Sequence, residues 1–327
     1  MIEGAVAAGA GLLSPVVAGP ALAYAIERLP RQWRRTTEWI VIGGGALLAV
    51  AADLWSAGPV SGAIVYILAA LPGLITFLVW RSLLATTVVS CVPLYFVISI
   101  VTRSGPLHAP EMALDRLITV QPAWMLVYAS LYVFVILLPL LVVREPDLIR
   151  RAMQAYLTVM IVAYIGFLVY PTGAPRPGGV PGDGFAAWAL RLAYAIDVPY
   201  NCFPSLHVAY AFVSALTCYR VHRGVGAAAT VWAALIGVST LYTKQHYVAD
   251  VIAGALIALV AYAIFLRGHR RNTLSERETR RAPVRALIAA VAFAATVAGC
   301  WVVYRVAPAD RAAQELAAVR GTRRVPW

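Results

Sequence analysis

Long apolar runs recur from one end of the chain to the other, and they limit the possible folds more than any other feature. A helix needs about 20 residues to cross the hydrocarbon core of a bilayer, so runs near that length predict membrane-spanning helices. Hydrophobic residues make up 61% of the 327 residues and charged residues only 13%, which is far from the composition of soluble proteins. We therefore predict an all-α, polytopic membrane protein with about ten spans: 5–27, 38–57, 59–80, 82–102, 121–143, 152–170, 205–219, 225–242, 248–266 and 286–306.

Basic residues are concentrated in one set of the short connections between these runs, which accounts for much of the net charge of +12. Arginine and lysine accumulate on the cytoplasmic side of membrane proteins, so this set is predicted to be cytoplasmic. Charge arranged in this way orients a protein in the bilayer, and we predict no nucleic-acid partner. The opposite connections, 103–120, 171–204 and 243–247, are then predicted to face the periplasmic or extracellular side of the cell membrane.

Two short polar strings, 203–207 and 243–250, interrupt the apolar pattern at this predicted outer face. Ionisable groups are expensive near a bilayer and usually serve a function there. The strings contribute five chemically active side chains, Ser205, His207, Lys244, His246 and Asp250. Lys244 is also the only lysine among the 27 basic residues, which suggests that a compact ammonium is wanted at this place. Together these residue types favour phosphate chemistry.

The spacing of these residues predicts how they act together. Pro204 is typical of the first turn of a helix, which would put Ser205 and His207 at a helix N-terminus, where free amides favour an anion. His246 and Asp250 are four residues apart and would share one face of a helix. A carboxylate on one imidazole nitrogen leaves the other nitrogen free to attack, and the second histidine can then protonate the departing alkoxide.

The long connection 171–204 supplies further candidates for the site. Arg176 follows a series of proline and glycine turns and can grip a phosphate with two parallel hydrogen bonds. Outside this connection, Lys244 can add a point charge, and Tyr247 could bond a substrate oxygen or anchor the membrane interface. Asp183 is expected to cap a short amphipathic helix, which would be a lid over the site, a lipid entrance or a plain surface helix.

The motifs at 170–177, 203–207 and 239–250 resemble those of the type 2 phosphatidic acid phosphatase (PAP2) superfamily. The resemblance covers about 82–266 and implies a six-helix, PAP2-like catalytic core. The residues of the second and third motifs are most similar to those of the branch that contains inositol phosphorylceramide synthases, an inositolphosphotransferase-like group.

The resemblance also implies a role for each matching residue. His246 would form a phosphohistidine intermediate with support from Asp250, and His207 would act first as acid and then as base. Ser205 and Arg176 would hold the phosphoryl oxygens. Neither a metal nor another cofactor would be required.

Two positions depart from the pattern of the phosphatases. Where that pattern has a lysine seven residues before the first-motif arginine, this chain has Val169, and where it has an arginine six residues before the nucleophilic histidine, this chain has Thr240. Lys244 is the obvious substitute for the two missing cations. Their loss argues against a generic phosphatidate phosphatase and favours a phosphotransferase.

The apolar runs and the charge pattern divide the chain into four parts. Residues 1–81 would form accessory N-terminal transmembrane helices, and 82–266 the catalytic core. Residues 267–285 would form a basic cytoplasmic linker, and 286–327 a last transmembrane helix with its tail.

We expect an enzyme that cleaves a lipid phosphoester at the outer membrane face and passes the phosphoryl or phospho-headgroup unit to a lipid alcohol. The alternative acceptor is water, which would make the protein a lipid phosphatase. Candidate donors are phosphatidylinositol, phosphatidate and a polyprenyl phosphate or diphosphate. The rival is a non-catalytic transporter or lipid-binding scaffold, since ionisable clusters also mark transport pathways. A zinc site built from the two histidines and Asp250 is a further alternative.

Overall fold

The computed structural model describes Arg28 and the ranges 82–92, 94–103, 105–197, 199–269 and 274–306. The first three predicted spans and the C-terminal tail after residue 306 lie outside the described residues. Within them the protein is helical and has no β-strand, as predicted. The α-helices are α1 (Leu83–Ser90), α2 (Leu94–Thr102), α3 (Met125–Val142), α4 (Pro146–Val169), α5 (Phe185–Ile196), α6 (Leu206–Val221), α7 (Arg223–Tyr242), α8 (Val248–Ala261) and α9 (Glu276–Val306).

Five stretches of the described chain are helical, long and apolar enough to cross a membrane. They are Pro122–Val142, Pro146–Val169, Arg223–Tyr242, Val248–Leu266 and Glu276–Val306. Each overlaps one of the predicted spans, which confirms the membrane character of this part of the chain. The total of about ten spans and the six-helix core stay predictions.

Two predicted spans take a different form. The apolar run 82–102 is not one helix but two, α1 with 8 residues and α2 with 9, and the sequence between them contains Pro93, which cannot donate a helical hydrogen bond. The prediction of one continuous span was therefore wrong here. The run 205–219 forms α6, whose 16 residues are fewer than the roughly 20 that a straight crossing needs.

Helix α6 is the central helix of the described fold and packs against α3, α4, α7 and α8. Its small residues Ala211 and Ala215 are fully buried, so the neighbouring helices approach it closely. At its far end the chain turns directly into α7, where a Cβ at Gly226 would lie 2.1 Å from the Cα of Tyr219. Only glycine fits at that crossing.

Two more glycines bring helices against the polar string 203–207. A Cβ on Gly254 of α8 would lie 2.4 Å from the carbonyl oxygen of Ser205, and one on Gly166 of α4 would lie 2.6 Å from Cδ of Pro204. The string is therefore wedged between α4 and α8. This packing holds the start of α6 in one place relative to the start of α8.

Helix α9 extends further towards its N-terminus than the predicted span 286–306. It begins at Glu276, so the second half of the predicted linker 267–285 forms its first turns. Most of its surface is exposed, and many of the exposed residues are large and apolar, as expected of a helix that faces lipid. Near its end Tyr304 packs on Trp188 of α5 and donates a hydrogen bond to the Asp183 carbonyl at 3.0 Å.

Candidate active site

The three motifs found in the sequence meet at the N-terminal ends of α6 and α8. Backbone hydrogen bonds join them: the Ser205 amide donates to the Asp250 carbonyl at 3.0 Å. The buried hydroxyl of Thr172 accepts from the amides of Cys202 and Phe203 at 3.0 and 2.8 Å. The sequence placed all three motifs at one membrane face, and the fold brings them into contact.

His207, His246 and Asp250 form a linear chain of hydrogen bonds. Nδ1 of His246 lies 3.2 Å from Oδ2 of Asp250, and Nε2 of His246 lies 3.0 Å from Nδ1 of His207. An ionised carboxylate can only accept, so the proton between His246 and Asp250 belongs to His246. Nε2 of His246 is then the acceptor, which makes His207 the donor in the second contact.

The contact between His246 and Asp250 arises in a different way from the one predicted. His246 does not lie on the helix but in the turn before α8, which begins at Val248. Asp250 is the third residue of that helix, and its Oδ2 also accepts from the Tyr247 amide at 2.9 Å. The carboxylate therefore caps the helix and orients the histidine with the same oxygen.

The turn that carries His246 is fixed by the end of α7. The carbonyl oxygen of Thr240 accepts from the amides of both Gln245 and His246, at 2.9 and 3.3 Å. The hydroxyl of Thr240 is buried and donates within its own helix to the Gly237 carbonyl at 2.7 Å. At Val169, the other position where the phosphatase pattern has a cation, the side chain is 76% exposed.

Burial makes the electrostatics of this chain strong. His246 is 4% exposed and Asp250 is fully buried, and within the described part of the chain Oδ1 of Asp250 has no hydrogen-bond partner. In a medium of low dielectric, a hydrogen bond to a carboxylate holds the ring of His246 firmly and leaves its Nε2 facing His207. The arrangement favours His246 as a nucleophile.

Ser205 lies at the N-terminus of α6, as predicted, but it is the N-cap, so Pro204 precedes the helix rather than occupying its first turn. The Ser205 hydroxyl is buried and accepts from the Val208 amide at 3.3 Å. His207 is the second residue of the helix and remains partly exposed, with the ring of Tyr128 edge-on to it at 5.7 Å. Ser205 thus sets the position of His207 through the helix start.

Arg176 is held by protein acceptors on every side of its guanidinium. Nε and Nη2 donate to Oε1 of Gln245 at 3.1 and 2.5 Å, and Nη1 donates to the carbonyls of Tyr194 and Asp197 at 3.2 and 3.1 Å. Nη2 also lies 3.5 Å from Oδ2 of Asp197, and the Arg176 side chain is only 7% exposed. The arginine predicted to grip phosphate is deeply engaged with the protein itself.

Helix α5 forms the wall on the other side of Arg176. Its residue Leu190 is buried against Met125 and Tyr128 of α3. Burial raises the pKa of Tyr194 to about 12, so its hydroxyl stays protonated and donates to the Thr243 carbonyl at 2.6 Å. The N-cap of α5 is Gly184, not Asp183 as predicted. The helix is therefore packed over the site rather than lying free on the surface.

Lys244 has a left-handed backbone conformation (φ +52°), and its ammonium donates to the backbone carbonyl of Asp115 at 3.1 Å. The side chain of Asp115 accepts from the amides of Met112 and Val248, at 2.8 and 2.9 Å. Asp115 thus holds the first residue of α8, next to the turn that carries His246. The sequence pattern did not single out Asp115, because its contact with Val248 joins residues 133 positions apart.

Asn201 is a second residue that the sequence interpretation missed. It also has a left-handed conformation (φ +60°), and its amide donates to the Tyr95 carbonyl at 3.0 Å and to the Ser99 hydroxyl at 2.6 Å. Its Oδ1 accepts from the Thr102 hydroxyl at 3.1 Å. Asn201 therefore ties α2 to the string 203–207.

Tyr247 follows His246 and is 9% exposed. Burial raises the pKa of its phenol to about 12, so the hydroxyl is protonated at neutral pH and can donate a hydrogen bond. Its role in substrate binding stays a prediction.

One group of side chains at the site could hold a metal ion, but it is not the group considered from the sequence. Cys202, His246 and Asp250 have ligand atoms that all lie within 4.8 Å of one another. Burial, followed by the nearby Asp250 carboxylate, raises the pKa of the Cys202 thiol well above its usual value, which keeps it protonated. A metal would also have to displace the hydrogen bonds of His246.

Comparison with known proteins agrees with this geometry. Residues 108–264, a little under half of the chain, match the family model of the PAP2 superfamily. A PA-phosphatase related-family protein of Dictyostelium discoideum is 25% identical over 116 residues, which are 32% of this chain and 21% of that protein. The matched segment thus spans about a fifth of the length of that relative. No solved structure matches the chain.

Proposed function

We propose that the protein is an integral-membrane enzyme that cleaves a lipid phosphoester through a phosphohistidine on His246 and transfers the phosphoryl-bearing unit to a lipid alcohol. The observation that carries this proposal is the chain from Asp250 through His246 to His207, with contacts of 3.2 and 3.0 Å. It supplies an oriented nucleophile and, beside it, a second imidazole that can move a proton. In this proposal no other side chain has to form a bond to phosphorus or transfer a proton.

The first half of the reaction forms a bond between Nε2 of His246 and phosphorus and breaks the bond from phosphorus to the leaving oxygen. Imidazolium His207 gives its proton to that oxygen, so the leaving group departs as a neutral alcohol. The two histidines touch each other at 3.0 Å. The phosphoryl group must therefore separate the two rings when it binds.

The second half reverses these roles. Neutral His207 accepts the proton of the incoming hydroxyl, whose oxygen attacks phosphorus as the bond to His246 breaks. The nucleophile is then regenerated and His207 is again protonated. Burial of His246 and Asp250 keeps bulk water away from the phosphohistidine, which favours a lipid alcohol as the acceptor.

Hydrolysis is the second candidate function, and the similarity to a PA-phosphatase related-family protein favours it. In that case water takes the place of the alcohol in the second half-reaction. We place the site at the periplasmic or extracellular face in either case, because the basic connections lie at the opposite ends of the predicted spans.

The test uses purified protein in detergent and a panel of lipids labelled at phosphorus, with and without a lipid alcohol. The panel contains phosphatidylinositol, phosphatidate and a polyprenyl diphosphate. Label in a new lipid supports transfer, and acceptor-independent release of a water-soluble phosphate supports hydrolysis. A wild-type rate equal to that of His246→Ala on every donor would contradict the proposal.

A further inference from the structure

The pair formed by Arg176 and Gln245 is asymmetric in its hydrogen bonding. Each nitrogen of the Arg176 guanidinium faces at least one acceptor of the protein, and the side chain is 7% exposed. Gln245 is 3% exposed, and its Nε2 has no hydrogen-bond partner among the residues that the structure describes. The buried donor that lacks an acceptor is therefore the glutamine amide and not the arginine.

The orientation of the Gln245 amide follows from the charge of its neighbour. Two guanidinium donors, Nε and Nη2 of Arg176, point at the same amide atom at 3.1 and 2.5 Å. Only the oxygen can accept from them, so the NH2 group must point the other way. Arg176 thus fixes the direction in which Gln245 donates.

Gln245 is adjacent in the chain to the proposed nucleophile. Gln245 is the residue before His246, and both amides donate to the same carbonyl, that of Thr240. A buried donor without a partner is rare in folded proteins and calls for an explanation. Beside a nucleophile for phosphorus, a phosphoryl oxygen is the natural acceptor.

We propose that Nε2 of Gln245 binds a phosphoryl oxygen of the substrate, and that Arg176 is a positioning residue which fixes the orientation of this amide. The inference rests on the proposed function of the same site and deepens it by naming the group that receives the phosphoryl oxygen. It also explains how the site manages with Val169 and Thr240 in place of two cations. A preorganised neutral donor stabilises developing charge without the cost of desolvating a cation.

Two substitutions of Gln245 separate donation from mere support of Arg176. Gln245→Glu keeps an oxygen for Arg176 to bind and replaces the NH2 donor with an acceptor. Gln245→Met has about the same length and removes both functions. If Gln245 donates to phosphate, kcat/KM should fall about 100-fold or more in both variants, because neither keeps the NH2 donor. If Gln245 only supports Arg176, Gln245→Glu should keep its kcat/KM and only Gln245→Met should lose it.

Full-length protein in detergent is used for both variants, and the apparent Tm is recorded beside the rates. Gln245→Glu should keep the wild-type Tm because the bond to Arg176 is retained. Binding of inorganic orthophosphate, followed by broadening of its phosphorus NMR signal, provides a second readout that does not need turnover. Wild-type protein should broaden the signal and Gln245→Glu should not.

The two proposals fail in different ways. Turnover that depends on His246 but is kept within about threefold in Gln245→Glu overturns the role of Gln245 and leaves the proposed function standing. Orthophosphate binding that is lost in Gln245→Glu, in a protein without turnover on any donor, supports the binding role and removes the proposed function. Equal orthophosphate signals for wild type and Gln245→Glu overturn the inference.

Discussion

Helix α6 has a buried histidine beside a carboxylate near each of its ends, and the two pairs differ in their surroundings. At the N-terminal end, His246 lies between Asp250 and His207. Near the C-terminal end, Nδ1 of His269 lies 3.3 Å from Oδ2 of Asp147, and the carbonyl of His269 accepts a hydrogen bond from Arg220 of α6. The side chain of His269 is 1% exposed.

The difference lies in what neutralises each carboxylate. Asp147 is bound by Arg150 at 2.5 Å and by Arg151 at 2.6 Å, so its charge is already matched by cations. In the described ranges, the carboxylate of Asp250 has a backbone amide and an imidazole as its partners, and its other oxygen is unpaired. A histidine–carboxylate pair is suited to catalysis when two conditions hold. The carboxylate forms no salt bridge with another cation, and the second nitrogen of the ring faces a proton donor.

The largest expected effect contrasts the two histidines directly. His246→Ala should lower turnover by at least about 10³-fold, because no other group can form the bond to phosphorus, while the apparent Tm changes little. His269→Ala should leave turnover within a few-fold and lower the free energy of unfolding by about 1–3 kcal/mol, because it opens a buried cavity and removes one hydrogen bond to Asp147. Turnover and thermal unfolding are measured on the same preparations. A similar loss of turnover in both variants would erase the distinction.

Substitution of the carboxylates should give a somewhat smaller contrast. Asp250→Asn can donate to Nδ1 of His246 and so turn the imidazole into the wrong tautomer, for which we expect a loss of about 10³-fold in kcat. Asp147→Asn keeps one of the two acceptor oxygens that Arg150 and Arg151 use, and it should leave kcat unchanged because it lies near the other end of α6. Single-turnover rates with a phosphorus-labelled donor provide the measurement. An active Asp250→Asn enzyme would mean that the carboxylate does not orient His246.

The packing at the site end should be less tolerant than the packing elsewhere. A methyl group on Gly254 would meet the Ser205 carbonyl at 2.4 Å, so Gly254→Ala must push α8 from the start of α6. We expect it to lower stability by about 1–3 kcal/mol and turnover by more than tenfold. Gly237→Ala is the matched control, since its new methyl would make only ordinary contacts, of 3.4 Å and more. Equal losses of stability and turnover in the two variants would argue against close packing of α8 on the string 203–207.

Lys244 should matter less than its solitary place in the sequence suggests. Its ammonium donates to the Asp115 carbonyl, so Lys244→Met should lose less than about tenfold in kcat/KM. Asp115→Ala removes the acceptor of two backbone amides and should cost more than Lys244→Met. A 100-fold rise of KM in Lys244→Met would instead show that the ammonium leaves Asp115 to bind phosphate, as the sequence predicts.

The smallest expected effect is that of a chelator. EDTA should leave the rate unchanged, because the proposed mechanism uses only imidazole, carboxylate and amide groups. Cys202→Ser serves as the control for the group of possible metal ligands at the site. Inhibition by EDTA that added zinc reverses, and that Cys202→Ser abolishes, would place a metal there and replace the phosphohistidine mechanism.

Sequence periodicity predicted the long helices well, because an apolar run of about 20 residues is typical of a membrane-spanning helix. It failed at 82–102 and around 276–285, where helix boundaries depend on local breaks and on packing rather than on hydropathy. Pairing of His246 with Asp250 was expected and is observed, although the residues meet through a helix cap and not on a shared helix face. Spacing alone cannot distinguish these two arrangements.

The sequence by itself determined the class of protein, the membrane-spanning character and the residue types of the candidate site, because these depend on composition and on short motifs. Tertiary structure alone decided which hydrogen-bond donors of the site have protein acceptors. Arg176 and Lys244 donate to other parts of the protein, whereas Nε2 of Gln245 has no partner in the described part of the chain. The physical reason is that a hydrogen bond is made with whatever acceptor the fold brings near. Asp197 contacts Arg176 from the end of α5, and Asp115 contacts Lys244 from a distant part of the sequence. Only the packing of the fold makes each pair neighbours.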